Sequence, residues 1–399
     1  AYDISACLVG SEMCIRDRYA MWLVRTVLSY LLTYRKSLLI ADQKEYIASI
    51  TGLILNVVSY LAIILLVTWE QNYLLALGIG TVTEVVLNIW ISWYVEQKYP
   101  FLRQRRKEKS TSSLTKRIVR DLKSLFISRI SEKMLYCTDN LIISGFIGVG
   151  TVGRYANYCM ITQAISNILT ILANTIQPTV GDYFTEKNRQ RNYEILRQLT
   201  FGFFCIASVV SVGLFSLITP FVRDIWLGPS YELGWGITVF CIVVLLVRIM
   251  GLPLSLVMGV TGLFEKEKNV GASSALLNLI VSLALVKPYG MAGVLLGTLL
   301  SYLLQILYRY IIYFRDFLEM PGEALRYAQD IGEYLAVIAG EVLLMQKIVP
   351  LIYGAGGMLL FCVCFLLCIA IPLLLDLVIF GRGWRLQSIV TMVKGMRKA

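Results

Sequence analysis

Four charged side chains, Arg129, Glu132, Lys133 and Asp139, stand in the first two-thirds of an apolar run, LFISRISEKMLYCTDNLIISGFIGVGTVGRYANY, that extends from Leu125 to Tyr158. Guanidinium and ammonium groups can engage an anion, and carboxylates can balance them or take a cation. At 100° per residue Arg129, Glu132, Lys133, Tyr136, Asp139 and Asn140 fall within an arc of roughly 120°, leaving Leu, Ile, Phe and small residues elsewhere. This is a polar stripe on a membrane-spanning helix. A charge near a bilayer centre costs about 2.5 to 3.5 kcal/mol, so four facing lipid would cost on the order of 10 kcal/mol. They must therefore face protein or water. Two readings fit: an internal network in which Arg129 and Lys133 pair with Glu132 on adjacent turns, or the wall of a hydrated transport pathway.

The elements that position the stripe follow from composition. The 399 residues are 57% hydrophobic and 16% charged, with mean hydropathy +0.69, and long apolar runs alternate with short polar clusters. That is the pattern of an all-α, multi-span membrane protein. The net charge of +11 comes from basic clusters between apolar runs rather than from one basic face, which reads as topology signalling and not as nucleic-acid binding. Nine cysteines lie scattered in apolar segments without a CxxC pair, and histidine is absent, so neither a metal site nor a redox site is expected. No cofactor is expected either.

Taken in order, residues 1–18, AYDISACLVGSEMCIRDR, lack the basic start, apolar core and cleavage site of a signal peptide, and CLVGSEMCIRD resembles the translation of a sequencing adapter. They are expected to be non-native. A first-lobe remnant of about three spans is expected over 19–97, a basic linker over 98–124, six spans over 125–314, two more over 315–380 and a basic tail over 381–399. The linker, KYPFLRQRRKEKSTSSLTKRIVRDLK, carries ten Lys or Arg residues and is assigned to the cytoplasm. Gly148, Gly150 and Gly153 are expected to turn the chain after the polar stripe, and 181–198 and 315–330 to be inside loops. Arg248 and Pro253 in one span suggest a kinked helix lining a cavity, and the tail an amphipathic surface helix. This phase leaves only Arg154, Arg223, Lys287 and Lys347 at the outer ends, an asymmetry that no other phase approaches.

The sequence also carries a family resemblance. TDNLIISGFIG followed by VGRYANY, IWLG at 225–228, and ASSALLNLIVSLALVKPYGMAGVLLGT at 272–298 resemble the polysaccharide-transporter (Wzx-type) flippases of the multidrug/oligosaccharidyl-lipid/polysaccharide exporter superfamily. The hairpin residues Asn278, Ser282, Lys287, Gly290, Gly293, Gly297 and Thr298 are the most diagnostic of the superfamily. Thr138, Asp139, Asn140, Tyr155, Asn157 and Tyr158 point to this branch, from which Arg154 and Ala156 depart. The resemblance covers nearly all of 19–380 and implies a two-lobed flippase fold, with about eleven spans present of an expected fourteen. The polar-stripe helix then corresponds to the seventh span. About three preceding helices are expected to be missing, so the chain alone is not expected to transport.

The implied activity is export of a polyprenyl-diphosphate-linked oligosaccharide from the inner to the outer leaflet of a bacterial cytoplasmic membrane, with no enzymatic step. Capsule, exopolysaccharide or O-antigen-like polymer synthesis would use it, and a polysaccharide polymerase and glycosyltransferases would be partners alongside membrane lipids. On this reading Arg129, Lys133 and Arg248 meet the diphosphate, and Glu132 and Asp139 act as counter-charges or ion-coupling carboxylates. Asn140, Asn157, Tyr158 and Asn174 meet sugar hydroxyls. Two alternatives stay open. A cation-coupled drug exporter of the same superfamily would be expected to favour carboxylates and aromatics over these basic groups. A membrane-embedded polyprenyl-dependent glycosyltransferase or polymerase would usually present acidic residues on a large outer loop, whereas the longest outer segment here is about 220–234. No GxxxxGK[ST] loop for ATP hydrolysis is present.

Overall fold

The computed structural model of the chain describes residues 19–30, 33–42, 44–70, 73–100, 119, 126, 137–184, 188–261, 263–354 and 356–381. All regular elements among the described residues are helical, as expected. The chain packs as two units, 1–111 and 112–399.

In the first unit, helix α1 (19–30) is followed by α2 (Thr33–Ala41), α3 (Glu45–Glu70) and α4 (Tyr73–Lys98). The unit's core is small: Leu39, Ala48, Ile91 and Val95. Polar contacts tie the ends together. Arg35 reaches Ser92 and Glu96, and Asn88 Nδ2 donates to the Leu28 and Ser29 carbonyls at 3.4 Å. At the α2–α3 turn the Lys44 ammonium and the Tyr99 hydroxyl, 2.5 Å from Asp42 Oδ2, hold the Asp42 carboxyl below its ordinary range. Most of α3 is apolar and outward-facing, with Leu53, Val58, Leu61 and Leu65 all exposed, which suits lipid and not water.

In the second unit, α5 is described over 137–146. It is followed by α6 (Val149–Tyr183), α7 (Arg189–Pro220), α8 (Trp235–Val260), α9 (Phe264–Tyr289), α10 (Met291–Ile311), α11 (Pro321–Tyr353) and α12 (Met358–Phe380). Short π-helical segments, Phe221–Trp226 and Ile312–Leu318, prolong α7 and α10. Eight of the described helices are long and apolar enough to cross a membrane. The other three expected spans fall on α1, α4 and α5, which are helical where described.

The connections are shorter than the sequence suggests. Within the expected loop at 181–198, residues 181–183 and 189–198 are helix, and the expected loop at 315–330 reduces to Glu319 and Met320. The cause is helix propensity. Lys, Arg, Glu and Gln end an apolar run but favour helix, so the rods continue past the bilayer edge. The 32 residues of α7 span about 48 Å against a hydrocarbon core of ~30 Å. Of the three glycines expected to turn the chain, Gly148 lies in the turn, whereas Gly150 and Gly153 are inside α6. Pro253 lies within the single helix α8. Apart from residue 119, the linker after residue 100 lies outside the described residues, as does the tail after residue 381.

Two helical pairings organise the second unit. In the α9–α10 hairpin, Ser274, Asn278 and Ser282 oppose Gly293, Gly297 and Ser301 at four-residue spacing, a small-residue seam that lets the backbones approach. A Cβ on Gly293 would stand 2.3 Å from the Leu285 carbonyl oxygen, and one on Gly297 would stand 2.4 Å from Ser282 Oγ. Because a backbone atom cannot rotate away, Gly293→Ala is expected to cost about 1–3 kcal/mol. In thermal unfolding of detergent-solubilised protein it should lower the Tm, whereas Gly236→Ala, which meets nothing within 4 Å, should not.

The other pairing is a three-helix seam. The helices α7 and α11 run in parallel register: Arg197 Nε and Nη2 donate to Asp330 at 2.6 and 3.0 Å, and Ser208 Oγ donates to Glu341 at 2.6 Å, both across 133 residues. The third helix, α12, runs the opposite way, setting Phe380 against Phe201, Phe204 and Tyr334, with Phe204 and Tyr334 stacked at 4.5 Å.

Candidate functional site

One face each of α5, α6, α8 and α10 encloses a pair of cavities. The first, about 180 Å³, is lined by Asp139 and Asn140 of α5, Tyr155, Cys159, Thr162 and Gln163 of α6, Cys241, Val244, Leu245 and Arg248 of α8, and Leu295, Thr298 and Tyr302 of α10. The second, about 570 Å³, shares Gln163, Arg248 and Tyr302 and adds Asn167, Ser255, Gln305 and Arg309 among others. The spacing follows from helix geometry. On α6, residues 155, 159, 162, 163, 166, 167 and 170 repeat at three and four residues, so one stripe faces the space along more than four turns.

At the end of the smaller cavity Asp139 is 5% exposed. Thr298 Oγ1 donates to its Oδ2 at 2.7 Å, Asn278 Nδ2 approaches Oδ1 at 3.4 Å, and the same Nδ2 donates to Thr298 Oγ1 at 2.9 Å. Three helices thus converge on one carboxylate through neutral donors. Such a group can hold a cation or a proton, because its charge is not balanced by these partners.

Arg248 sits between the two cavities with its guanidinium carbon 5.4 Å from the centre of the Tyr302 ring, a cation–π contact that fixes the side chain towards the open space. Arg309 also lines the larger cavity, and none of the described residues on its wall is acidic. Two guanidiniums, amides from Gln163, Asn167 and Gln305, and hydroxyls from Ser166, Thr170, Ser255 and Tyr302 make a surface of hydrogen-bond donors suited to an anionic, hydroxyl-rich group.

Of the residues singled out from sequence, Asp139, Asn140 and Arg248 are brought together here. Asn157 donates to the Gly153 carbonyl at 3.1 Å, and Asn174 is exposed. Tyr158 is fully buried, its hydroxyl accepting from the Leu233 N–H at 3.2 Å. None of these three lines either cavity. Arg129, Glu132 and Lys133 lie outside the described residues. Sequence reasoning missed the roles of Thr298, Tyr302, Gln305 and Arg309. The available signal was the three-and-seven spacing of 295, 298, 302, 305 and 309 on α10.

A multi-pass helical membrane protein with a polar cavity inside one bundle is the class that the fold and site define. Comparison with known proteins narrows it. Residues 16–184 match the family described as "Polysaccharide biosynthesis protein". The solved structure of lipid II flippase MurJ in an inward closed conformation is similar to this chain with a TM-score of 0.60 and 15% sequence identity, over 88% of this chain and 71% of that one. Both fall in the multidrug/oligosaccharidyl-lipid/polysaccharide exporter superfamily, in agreement with the resemblance read from the sequence. No curated protein matches the chain.

Proposed function

We propose that this protein flips a polyprenyl-diphosphate-linked oligosaccharide from the inner to the outer leaflet of a bacterial cytoplasmic membrane, supplying polysaccharide synthesis. The observation that carries this reading is the larger cavity: two arginines and a set of amides and hydroxyls, with no acidic residue among the described residues of its wall. A diphosphate needs guanidinium or ammonium partners, and sugar hydroxyls need amides, in a space large enough to stay wet. A drug exporter for cationic, apolar compounds would find Arg248 and Arg309 repulsive. The site has the makings of a binding surface rather than of a catalytic one, so polymerase and glycosyltransferases act as separate partners.

Arg129 and Lys133 extend the same reading. They precede Asp139 by ten and six residues on the polar-stripe run, about 15 and 9 Å of helix rise, so they would lead a head group from the cytoplasmic mouth towards Arg248. Glu132 and Asp139 would balance them when the site is empty, and Asp139 would take the coupling cation. The test is polymer export in cells lacking their own flippase, with every variant made in a gene that also supplies the spans expected to precede this chain. The Arg129→Gln, Lys133→Gln double variant should reach normal membrane levels and lose most export, and exchanging charges through Arg129→Glu with Glu132→Arg should not restore it. Recovery of level and export together by the exchange would show an internal ion-pair network instead.

A further inference from the structure

Glu341 of α11 and Asp376 of α12 take no part in the cavities described above. Each is 3% exposed, and they face each other and Ser208 of α7, which has no exposed surface. The Ser208 hydroxyl has one hydrogen and gives it to Glu341 Oε2 at 2.6 Å. Glu341 Oε1 and both carboxylate oxygens of Asp376 have no hydrogen-bond partner. Neither side chain is paired with a lysine or arginine among the described residues.

The helix register fixes the depth of this pair. Arg197 and Asp330 pair eleven residues earlier on α7 and α11, about 16 Å along the axis, or half of a ~30 Å hydrocarbon core. Between the two levels lie Phe201, Phe204, Tyr334 and Phe380, packed ring against ring. The other titratable group facing the carboxylates from α7 is Cys205. Two ionised carboxylates cannot stand side by side in such an environment with one hydroxyl between them. A proton on one of them removes half of the charge and converts an orphaned acceptor into a donor, as in acid pairs that titrate jointly.

We propose that Glu341 and Asp376 form a proton-binding and proton-exchanging site that ties α12 to α7 and α11. The proton arrives from water, forms an O–H bond on one carboxyl oxygen, lowers the pair's charge from −2 to −1, and returns to water when the site empties. Towards the far end of the same seam a cavity of about 350 Å³, from which water could approach, is lined by Ser216, Arg223, Asp224 and Tyr353. Ser216, beside the Cys368 thiol, lies about two turns, about 12 Å, beyond Ser208. The site does not depend on which molecule the protein carries, so it stands or falls separately from the flipping reading.

Infrared difference spectroscopy of the purified chain in lipid vesicles tests it, following the carbonyl stretch of protonated carboxyl groups between mildly acidic and mildly alkaline buffer. In an Asp139→Asn background, which removes the other buried carboxyl able to take a proton, the chain should show one such band that disappears as pH rises and shifts in heavy water. Asp376→Asn and Glu341→Gln should each abolish that pH-dependent band, whereas Ser208→Ala should move it. If Asp376→Asn does not insert, Asp376→Glu keeps the readout: the band should shift in frequency instead of vanishing. A band indifferent to pH would mean a permanently protonated structural contact, and no band would mean a doubly ionised pair. Loss of the band on adding sodium at constant pH would mean a metal-cation site. Each of these three results would overturn the proposal.

Discussion

Arg248→Gln should leave a folded, membrane-inserted protein whose polymer export falls by at least tenfold. The guanidinium is shared by both cavities and oriented by Tyr302, so its removal takes the central positive charge from the space in which a diphosphate would sit. A charge-assisted hydrogen bond contributes roughly 1.5–3 kcal/mol, and 1.4 kcal/mol is already a factor of ten in binding. Glutamine keeps the side-chain stem and a polar end, so packing around Leu245 and Ile249 should survive. Arg248→Lys separates two roles: it keeps the charge but loses the planar fork and the ring contact, and should recover only part of the export. Export at wild-type rates by Arg248→Gln, at equal protein level, would place substrate recognition elsewhere.

Asp139→Asn should be nearly as damaging for a different reason. An asparagine can still accept from Thr298 and fit beside Asn278, so the junction of α5, α9 and α10 should hold and membrane levels should stay close to normal. What is lost is the negative charge. If Asp139 takes the coupling cation, export should drop at least tenfold while stability changes by less than about 1 kcal/mol. If Asp139 is only a structural acceptor, Asp139→Asn should export normally, whereas Asp139→Leu, which leaves the Thr298 and Asn278 donors buried and unmatched, should fail to accumulate. Measuring export and thermal stability on both variants separates the two cases.

Much of the fold is legible in the sequence because membrane helices leave a strong signal. Apolar runs of twenty residues are visible without any partner, and α9 and α10 are recognisable from the hairpin glycines alone. Helix ends are less legible. The Arg189–Gln198 and Pro321–Asp330 segments are polar but have no helix breaker beyond Pro321 and Gly322 in the first helical turn, so they continue the rods. The candidate site is legible where polarity is costly. Asp139 and Arg248 stand out because a charge in an apolar run needs a reason, and both line the smaller cavity. Neutral groups give a weaker signal: Asn157 and Asn174 look as suitable as Gln163 and Asn167, and only the packing of α6 against α8 decides which face the cavity. Arg309 lies near a span end, where arginine also serves as a topology signal. The partnership of Asp139 with Asn278 and Thr298 joins residues 139 and 159 positions apart, which no local pattern encodes.

The central claim is that the cavity of the second unit recognises a diphosphate-sugar head, and equilibrium binding measures this without requiring transport. The purified chain in lipid nanodiscs would be titrated with a radiolabelled polyprenyl-diphosphate oligosaccharide, with polyprenyl monophosphate as the comparison ligand. Saturable binding that prefers the diphosphate oligosaccharide, weakened at least tenfold by the Arg248→Gln, Arg309→Gln double variant with unchanged thermal stability, is the predicted result. Equal affinity of wild type and double variant, or equal binding of both lipids, would contradict the account.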